Sequence, residues 1–284
     1  CYGPMSFNMP LRVPTQMYHK YERMHPGVTL TFPPEPQGTV DQQLQWFMSR
    51  GLANRLPDIT EPGGSSYVVS TIPHGWWLDL TPYLDQPNPY VPGNKRWRDA
   101  IQPGLLQQGA YYDGRNFMFT ADAADGVWMI NKDIFQRVGV PVPTTWAALM
   151  DVSATIKRAG YSAFLGPNQN GWVMSGLSTM LMSQLWSKEF KQPGSTYFMT
   201  TGDFMRAVKH GTLSMTDPRT AEAWQLLKRW MPTWYPDTLT HTKADFRPFV
   251  EGKVAIYIDG TWQIPQILQL IGHKFTMDVM PIPP

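Results

Sequence analysis

The chain has 284 residues, a length that suits two α/β lobes or one large domain, and 42% hydrophobic residues supply a sizeable core. Charged residues make up 16%, below the average of about 25%, and the formal net charge of +2 excludes the strong basic footprint of a nucleic-acid-binding protein. The single cysteine, Cys1, excludes an internal disulfide and a cysteine-rich zinc site.

No apolar run approaches the ~20 residues that span a bilayer. Met17, Tyr18, Tyr21 and Met24 recur at helical spacing after Pro14 and predict a first helix, stopped by Pro26-Gly27. Residues 28–32 alternate as a strand. Thr39 caps a second helix that runs to Arg50, turns Val40, Leu44, Phe47 and Met48 inward, and ends at Gly51. Residues 56–60 read as a short buried strand. This α-β-α-β order is the pattern of a mostly parallel sheet covered by helices.

Residues 62–92 are rich in Gly, Ser and Pro and read as loop, with a short helix near 67–73. Lys95-Arg96-Trp97-Arg98 is a solvated start to a helix over 97–108. Asp113-Gly114 is a hairpin-type turn, followed by strands at 117–120 and 126–130. Asn131-Lys132-Asp133 opens a short helix that ends at Gly139. Thr144 or Thr145 caps an amphipathic helix with Trp146, Leu149, Val152 and Ile156 on one face, closed by Gly160. A strand at 162–165 and helices at 171–186, 203–210 and 218–231 follow. The last of these places Ala221, Trp224, Leu227 and Met231 on one face. The stretch from Phe249 to Trp262 reads as a helix end, a Gly turn, a short buried strand, and a sharp turn at Gly260 into a new helix with a large aromatic just inside it. Such a place, at the carboxyl end of a strand, is where open α/β folds bind ligands. That helix stops at Gly272, and 275–280 is a final strand.

Several segments carry a family resemblance. Phe249-Val250-Glu251-Gly252-Lys253-Val254-Ala255 with Gly260-Thr261-Trp262 resembles the F-x-x-G-K-x-A-M…G-x-W signature of bacterial extracellular solute-binding proteins, the receptors of ABC importers, and above all their carbohydrate-binding, maltose-binding-type group. Tyr21-Glu22-Arg23-Met24-His25-Pro26-Gly27-Val28 resembles that family's helix-to-strand corner, Pro57-Asp58-Ile59 its P-D-V/I strand end, and Leu78-Asp79-Leu80-Thr81-Pro82-Tyr83-Leu84 its L-D-L-T-P-Y-L segment. Ile130-Asn131-Lys132-Asp133-Ile134-Phe135 is similar to Y-N-K-D-L-F, and Gly139-Val140-Pro141-Val142-Pro143-Thr144-Thr145-Trp146 to G-x-x-x-P-x-T-W. Each motif is weakly specific alone; their shared order makes the likeness strong.

The resemblance implies an α/β, two-lobed periplasmic-binding-protein fold of type II, with mostly parallel sheets flanked by helices. It maps an incomplete lobe one onto residues 1–122, and the hinge crossing, lobe two and the start of a return crossing onto 123–284. The crossings fall near 123–128 and 279–284. Family members begin with a strand before the position of Tyr2 and continue past the P-I/L-P of the return crossing, so the resemblance implies truncation at both ends. Cys1 fits either the mature first residue of a lipid-anchored receptor or a cut inside a longer protein. The function implied is non-enzymatic: an extracytoplasmic, monomeric receptor that holds a small solute in the cleft between the lobes, closes at a hinge and docks on an ABC permease, without a cofactor.

A sugar site needs flat aromatics for ring faces and carboxylates and amides for hydroxyls. Trp262 matches the family's stacking aromatic; otherwise it packs the helix onto the sheet. Asp122 and Asp125 flank the implied hinge, as ligand acids or as capped turns. Glu61, Ser65, Ser66 and Tyr67 follow the second strand, where Gly63-Gly64 admits close backbone approach, or they form an ordinary capped loop. Asn168, Asn170 and Trp172 follow the 162–165 strand, and Asn8 lies in the first loop. Asp259 either contacts ligand or caps the last helix. The six His residues show no i,i+4 pairing, so no metal site is expected, and no phosphate loop or nucleophile elbow occurs. A polyamine is the alternative solute, drawn to Asp122, Asp125, Glu61 and the aromatics. A carbohydrate hydrolase using Asp122 and Asp125 is the competing enzyme reading.

Overall fold

The computed structural model describes residues 12–31, 40–60, 65–102, 105–106, 111–119, 126–166, 172–186, 201–214, 216–236, 238–239 and 246–283. The chain divides into two compact units, Cys1–Ala123 and Ala124–Pro284.

In the first unit, α1 (Arg12–Met24) ends before Gly27, and the Glu22 carboxylate accepts the Leu30 N–H at 2.9 Å. That bond holds the Glu22 carboxyl below its ordinary range, with help from His19. Met17, Tyr21 and Met24, which recur at helical spacing along α1, are each about half exposed. In α2 (Val40–Leu52), Phe47 is buried and stacks on Trp77, ring centroids 5.2 Å apart. The Trp77 indole donates to Thr71 Oγ1 at 2.7 Å. Thr71 ends α3 (Ser65–Thr71), which passes into a tighter turn over Ile72–His74. Val68, Ile72 and Phe117 form the small core between these pieces.

The segment around α4 (Thr81–Leu84) is tied to a hairpin of β1 (Tyr111–Tyr112) and β2 (Arg115–Asn116). Leu80 N–H donates to Asn116 O at 2.7 Å, and Asn116 N–H to Thr81 Oγ1 at 2.9 Å. Asp113 and Gly114, both at positive φ, make the two-residue turn. Residues 28–31, 56–60 and 117–119 do not form the expected strands. A strand exists only where a neighbour takes its N–H and C=O groups, and Leu30 gives its N–H to a side chain instead. Of the expected 97–108 helix, a single turn over Trp97–Ala100 ends at an extended Ile101, and Leu105 and Leu106 are helical again, while 103–104 and 107–108 lie outside the described residues.

The second unit is a three-layer sandwich around a four-stranded sheet of order β4-β5-β3-β6, made from β3 (Gly126–Asn131), β4 (Ser162–Leu165), β5 (Val254–Gly260) and β6 (Met277–Met280). The sheet is mixed. β4 and β5 are parallel, but β3 runs antiparallel to both β5 and β6. This corrects the mostly parallel expectation. A strand that arrives at one end of a sheet from outside the unit, as β3 does, need not share the direction that βαβ crossovers impose.

Local chemistry sets the helices that follow. Asn131 caps α5 (Lys132–Val138) by accepting Ile134 N–H, and Gly139 closes it at φ 73°. Thr145 caps α6 (Trp146–Arg158), which buries Leu149, Val152 and Ile156. Next come α7 (Trp172–Leu185), α8 (Thr201–Lys209) and α9 (Pro218–Trp230), the last capped by Asp217. In α9 the buried stripe is Ala223, Leu227 and Trp230, while Trp224 is 45% exposed. The helix is thus rotated from the expected face, because the bulk of Trp230 goes to the sheet. The short α10 (Arg247–Val250) precedes β5, and α11 (Ile264–Ile271) follows it.

One sheet face, with Trp128, Ile130, Ile256 and Ile258, packs on α6, α7 and α9. The other, with Met129, Leu165 and Tyr257, packs on α10 and α11. The first face is built on aromatics. Trp128 and Trp230 stack at 5.4 Å and 11°, and Phe164, Trp146 and Trp234 crowd their edges. Each such pair adds about 0.5–1.5 kcal/mol beyond burial. Trp230 donates to the buried Ser153 Oγ at 2.8 Å. Trp146 donates to Gln184 Oε1 at 3.1 Å, and Gln184 Nε2 donates to Pro283 O at 3.0 Å. Among the described residues no helix is long and apolar enough to cross a membrane.

Trp230→Ala is expected to cost about 3–5 kcal/mol of stability, and Ser153→Ala, which strands a buried indole N–H, about 1–3 kcal/mol. Urea denaturation measures both; a Trp230→Ala loss under about 1 kcal/mol means that the stack does not hold the unit together.

Candidate functional site

The end of β5 concentrates chemistry. All seven residues of this strand are buried, and its last two pair with the first two of β3, Asp259 with Val127 and Gly260 with Gly126. Tyr257 and Asp259 lie on one side of the strand, two residues apart. The Tyr257 hydroxyl donates to Asp259 Oδ2 at 2.6 Å, and Gly260 N–H donates to Asp259 Oδ1 at 2.7 Å. Gln263 also bonds the carboxylate. Asp259 is only 4% exposed. Burial pushes its carboxyl above the ordinary range, against the opposing pull of the Tyr257, Gly260 and Gln263 donors.

Asp259 therefore ties the strand end together. It does not cap the next helix through a backbone N–H: that helix begins as a tight turn over Thr261–Gln263 whose cap residue is Gly260. Both Asp259 oxygens are engaged inside the protein, which leaves little of this side chain to meet a ligand.

Trp262 stands in that turn, half-buried. Its six-membered ring lies on the Gly260 backbone: a Cβ at Gly260 would stand 2.2 Å from two ring carbons. The indole is thus a flat apolar surface with backbone beneath it. Sequence reasoning singled out Trp262, Asp259 and the Gly260 turn but not Tyr257, Gln263 and Gly126. The Tyr257-x-Asp259 spacing was a readable signal, since alternate residues of a strand share a side. The facing of Gly126 with Gly260 was not, because it depends on register.

The sheet end gathers further chain positions. β4 stops at Leu165, opposite Tyr257, and β3 starts at Gly126, opposite Gly260. In sequence, Asp122 and Asp125 precede Gly126, and Asn168 and Asn170 follow Leu165. Those four residues, with Asn8 and Glu61, lie outside the described residues. Ser65, Ser66 and Tyr67 open α3, and Trp172 opens α7; their side chains lie outside the described set. Among the described residues no three His, Cys, Asp or Glu side chains come together to hold a metal.

The raised Asp259 carboxyl gives a pH prediction. A folded-state carboxyl that is harder to ionise than in the unfolded chain contributes stability that is present below the unfolded pKa and lost as pH rises through the folded one. As pH rises above about 4, the stability of Asp259→Asn relative to wild type is therefore expected to rise. Paired thermal melts across that range check it; a difference that is flat or falls with pH refutes it.

The family model for bacterial extracellular solute-binding proteins matches residues 13–283. No curated protein matches the chain. Among solved structures, a protein from work on xylan utilization by the thermophilic bacterium Caldanaerobius polysaccharolyticus superposes with a TM-score of 0.72 at 19% identity, covering 99% of this chain and 66% of its own. The GacH receptor of Streptomyces glaucescens, solved unliganded and with acarbose, gives 0.69 at 16% identity, covering 99% and 66%. The ABC substrate-binding protein Lmo0181 of Listeria monocytogenes, in complex with cycloalternan, gives 0.66 at 16% identity, covering 97% and 64%. The chain thus spans about two thirds of the length of these structures, and at such identities the likeness shows the fold, that of the two-lobed solute-binding proteins. With the family model matched from residue 13 to residue 283, this chain belongs to the bacterial extracellular solute-binding protein family.

Proposed function

We propose that the chain is the ligand-binding part of an extracytoplasmic receptor that binds a carbohydrate, a mono- or oligosaccharide, and delivers it to the membrane permease of an ABC importer. The observation that carries this reading is the Trp262 indole laid flat on bare backbone at the carboxyl end of β5. Sugar rings present an apolar face edged by hydroxyls, and a supported indole suits that face. In the sequence, the hydroxyl-binding candidates Asp122 and Asp125 precede β3, and Asn168, Asn170 and Trp172 follow β4. Glu61, Ser65, Ser66, Tyr67 and Asn8 complete the proposed set from the first unit, with hinge closure as the capture step. The neighbours named for acarbose and cycloalternan point the same way. The reading is of a monomeric binding protein without a cofactor, not an enzyme.

The polyamine alternative rests on Asp122, Asp125 and Glu61, which lie outside the described residues.

A thermal-shift panel of neutral sugars and polyamines tests the assignment. A sugar at 100 times its Kd is expected to stabilise the protein by about 2.7 kcal/mol. Response to spermidine alone establishes the polyamine reading, hydrolysis of an oligosaccharide establishes the enzyme, and silence across the panel removes the receptor. Trp262→Ala is expected to weaken a sugar by about 1–3 kcal/mol; unchanged affinity with a lower Tm makes Trp262 a packing residue.

A further inference from the structure

Gly260 is not a glycine for the sake of its backbone. Its φ of −80° and ψ of 157° are extended values that any residue adopts. What excludes a side chain is the Trp262 ring. An added Cβ would stand 2.2 Å from Cη2 and Cζ3 and 2.3 Å from Cε3, inside the indole. Directly across the ladder stands Gly126, and facing residues of an antiparallel pair turn their Cβ positions to the same side of the sheet. There a Cβ would come 3.0 Å from Met180 Cε. The two strands therefore end in a side-chain-free step, with the indole on one half and the Met180 methyl at the other.

We propose that Gly260 is the positioning residue for Trp262, its bare backbone fixing the plane in which the indole is presented. Three further bonds keep that backbone in place: those to Asp259 from Gly260 N–H, from the Tyr257 hydroxyl and from Gln263. The indole is the far end of a side chain that turns about two torsions, whereas the strand end is buried and bonded. A methyl group at position 260 thus turns the indole away and leaves the strand where it is. For ligand binding, which rests on the receptor reading above, this is preorganisation: the aromatic face is already flat and supported before a sugar arrives.

The test uses the full chain labelled with fluorotryptophan. The fluorine NMR signal missing from Trp262→Phe identifies Trp262. In Gly260→Ala that signal is expected to shift and to gain a solvent isotope effect, while the other indole signals stay and Tm falls by no more than about 4 °C. An unmoved Trp262 signal overturns the proposal. So does a collapse in Tm, because the glycine is then required by the fold itself. Calorimetry with maltotriose, xylotriose and raffinose forms the second arm. Any of these that binds wild type is expected to bind Gly260→Ala about tenfold more weakly, and the double variant Gly260→Ala/Trp262→Ala is expected to lose no more than Trp262→Ala alone. Unchanged binding by Gly260→Ala, or additive losses, overturns the proposal. If wild type binds none of the three sugars, the sugar reading fails, and the fluorine signal still decides the seat.

Discussion

The second unit depends on one strand that must be dry on both faces. Every residue of β5 is buried, and such a strand survives only if both of its edges are paired and both of its faces are covered. β3 and β4 supply the edges. The Trp128–Trp230 stack covers one face, and Phe249, Ile267 and Ile271 cover the other. The helices that cover the sheet need not be strong formers in isolation, because they are held by the apolar stripes they present to it. Satisfying β5 thereby fixes the order of the sheet and the side on which each helix lies.

The same demand shapes the strand's end. A buried strand that stops abruptly leaves polar groups with nowhere to go, and here the stop is made by side chains from the strand and the turn after it. Asp259 takes up a backbone N–H and a phenol hydroxyl together, at the cost of a carboxyl that resists ionisation. The bare position that follows lets the chain fold an indole back over itself. Stability and presentation are coupled at this point: the bonds that finish the strand also hold the surface on which Trp262 rests.

Local signals were legible wherever the chemistry was local. Asn131 and Thr145 cap the helices that their neighbours begin, and Asp113-Gly114 turns the hairpin. The fold family was legible too, because its motifs sit at corners and caps. Pairing was not. Residues 28–31 alternate as a strand should and 56–60 read as a short buried one, yet neither pattern names a partner. The mixed sheet was hidden for the same reason, since nothing near Gly126 tells which way β5 will run. In α9 two stripes fit a helical period, and only the stack decided for Trp230 over Trp224. At the site, Trp262 and Asp259 stood out as residue types. That one is a supported face and the other an internal tie is settled among residues 257–263, whereas the facing of Gly126 with Gly260 depends on a register between segments more than a hundred positions apart.

Gln184 has a consequence of its own. It accepts from the Trp146 indole with one end of its amide and donates to the Pro283 carbonyl with the other. Of the side chains with this reach, only an amide has opposite polarity at its two tips; a carboxylate at 184 would suit the indole and repel the carbonyl. The chain leaving β6 is thus fastened to α7 by a connection that reads direction as well as distance. Tension on the chain just past β6 would be carried into the aromatic core, and the edge strand would be spared from peeling first.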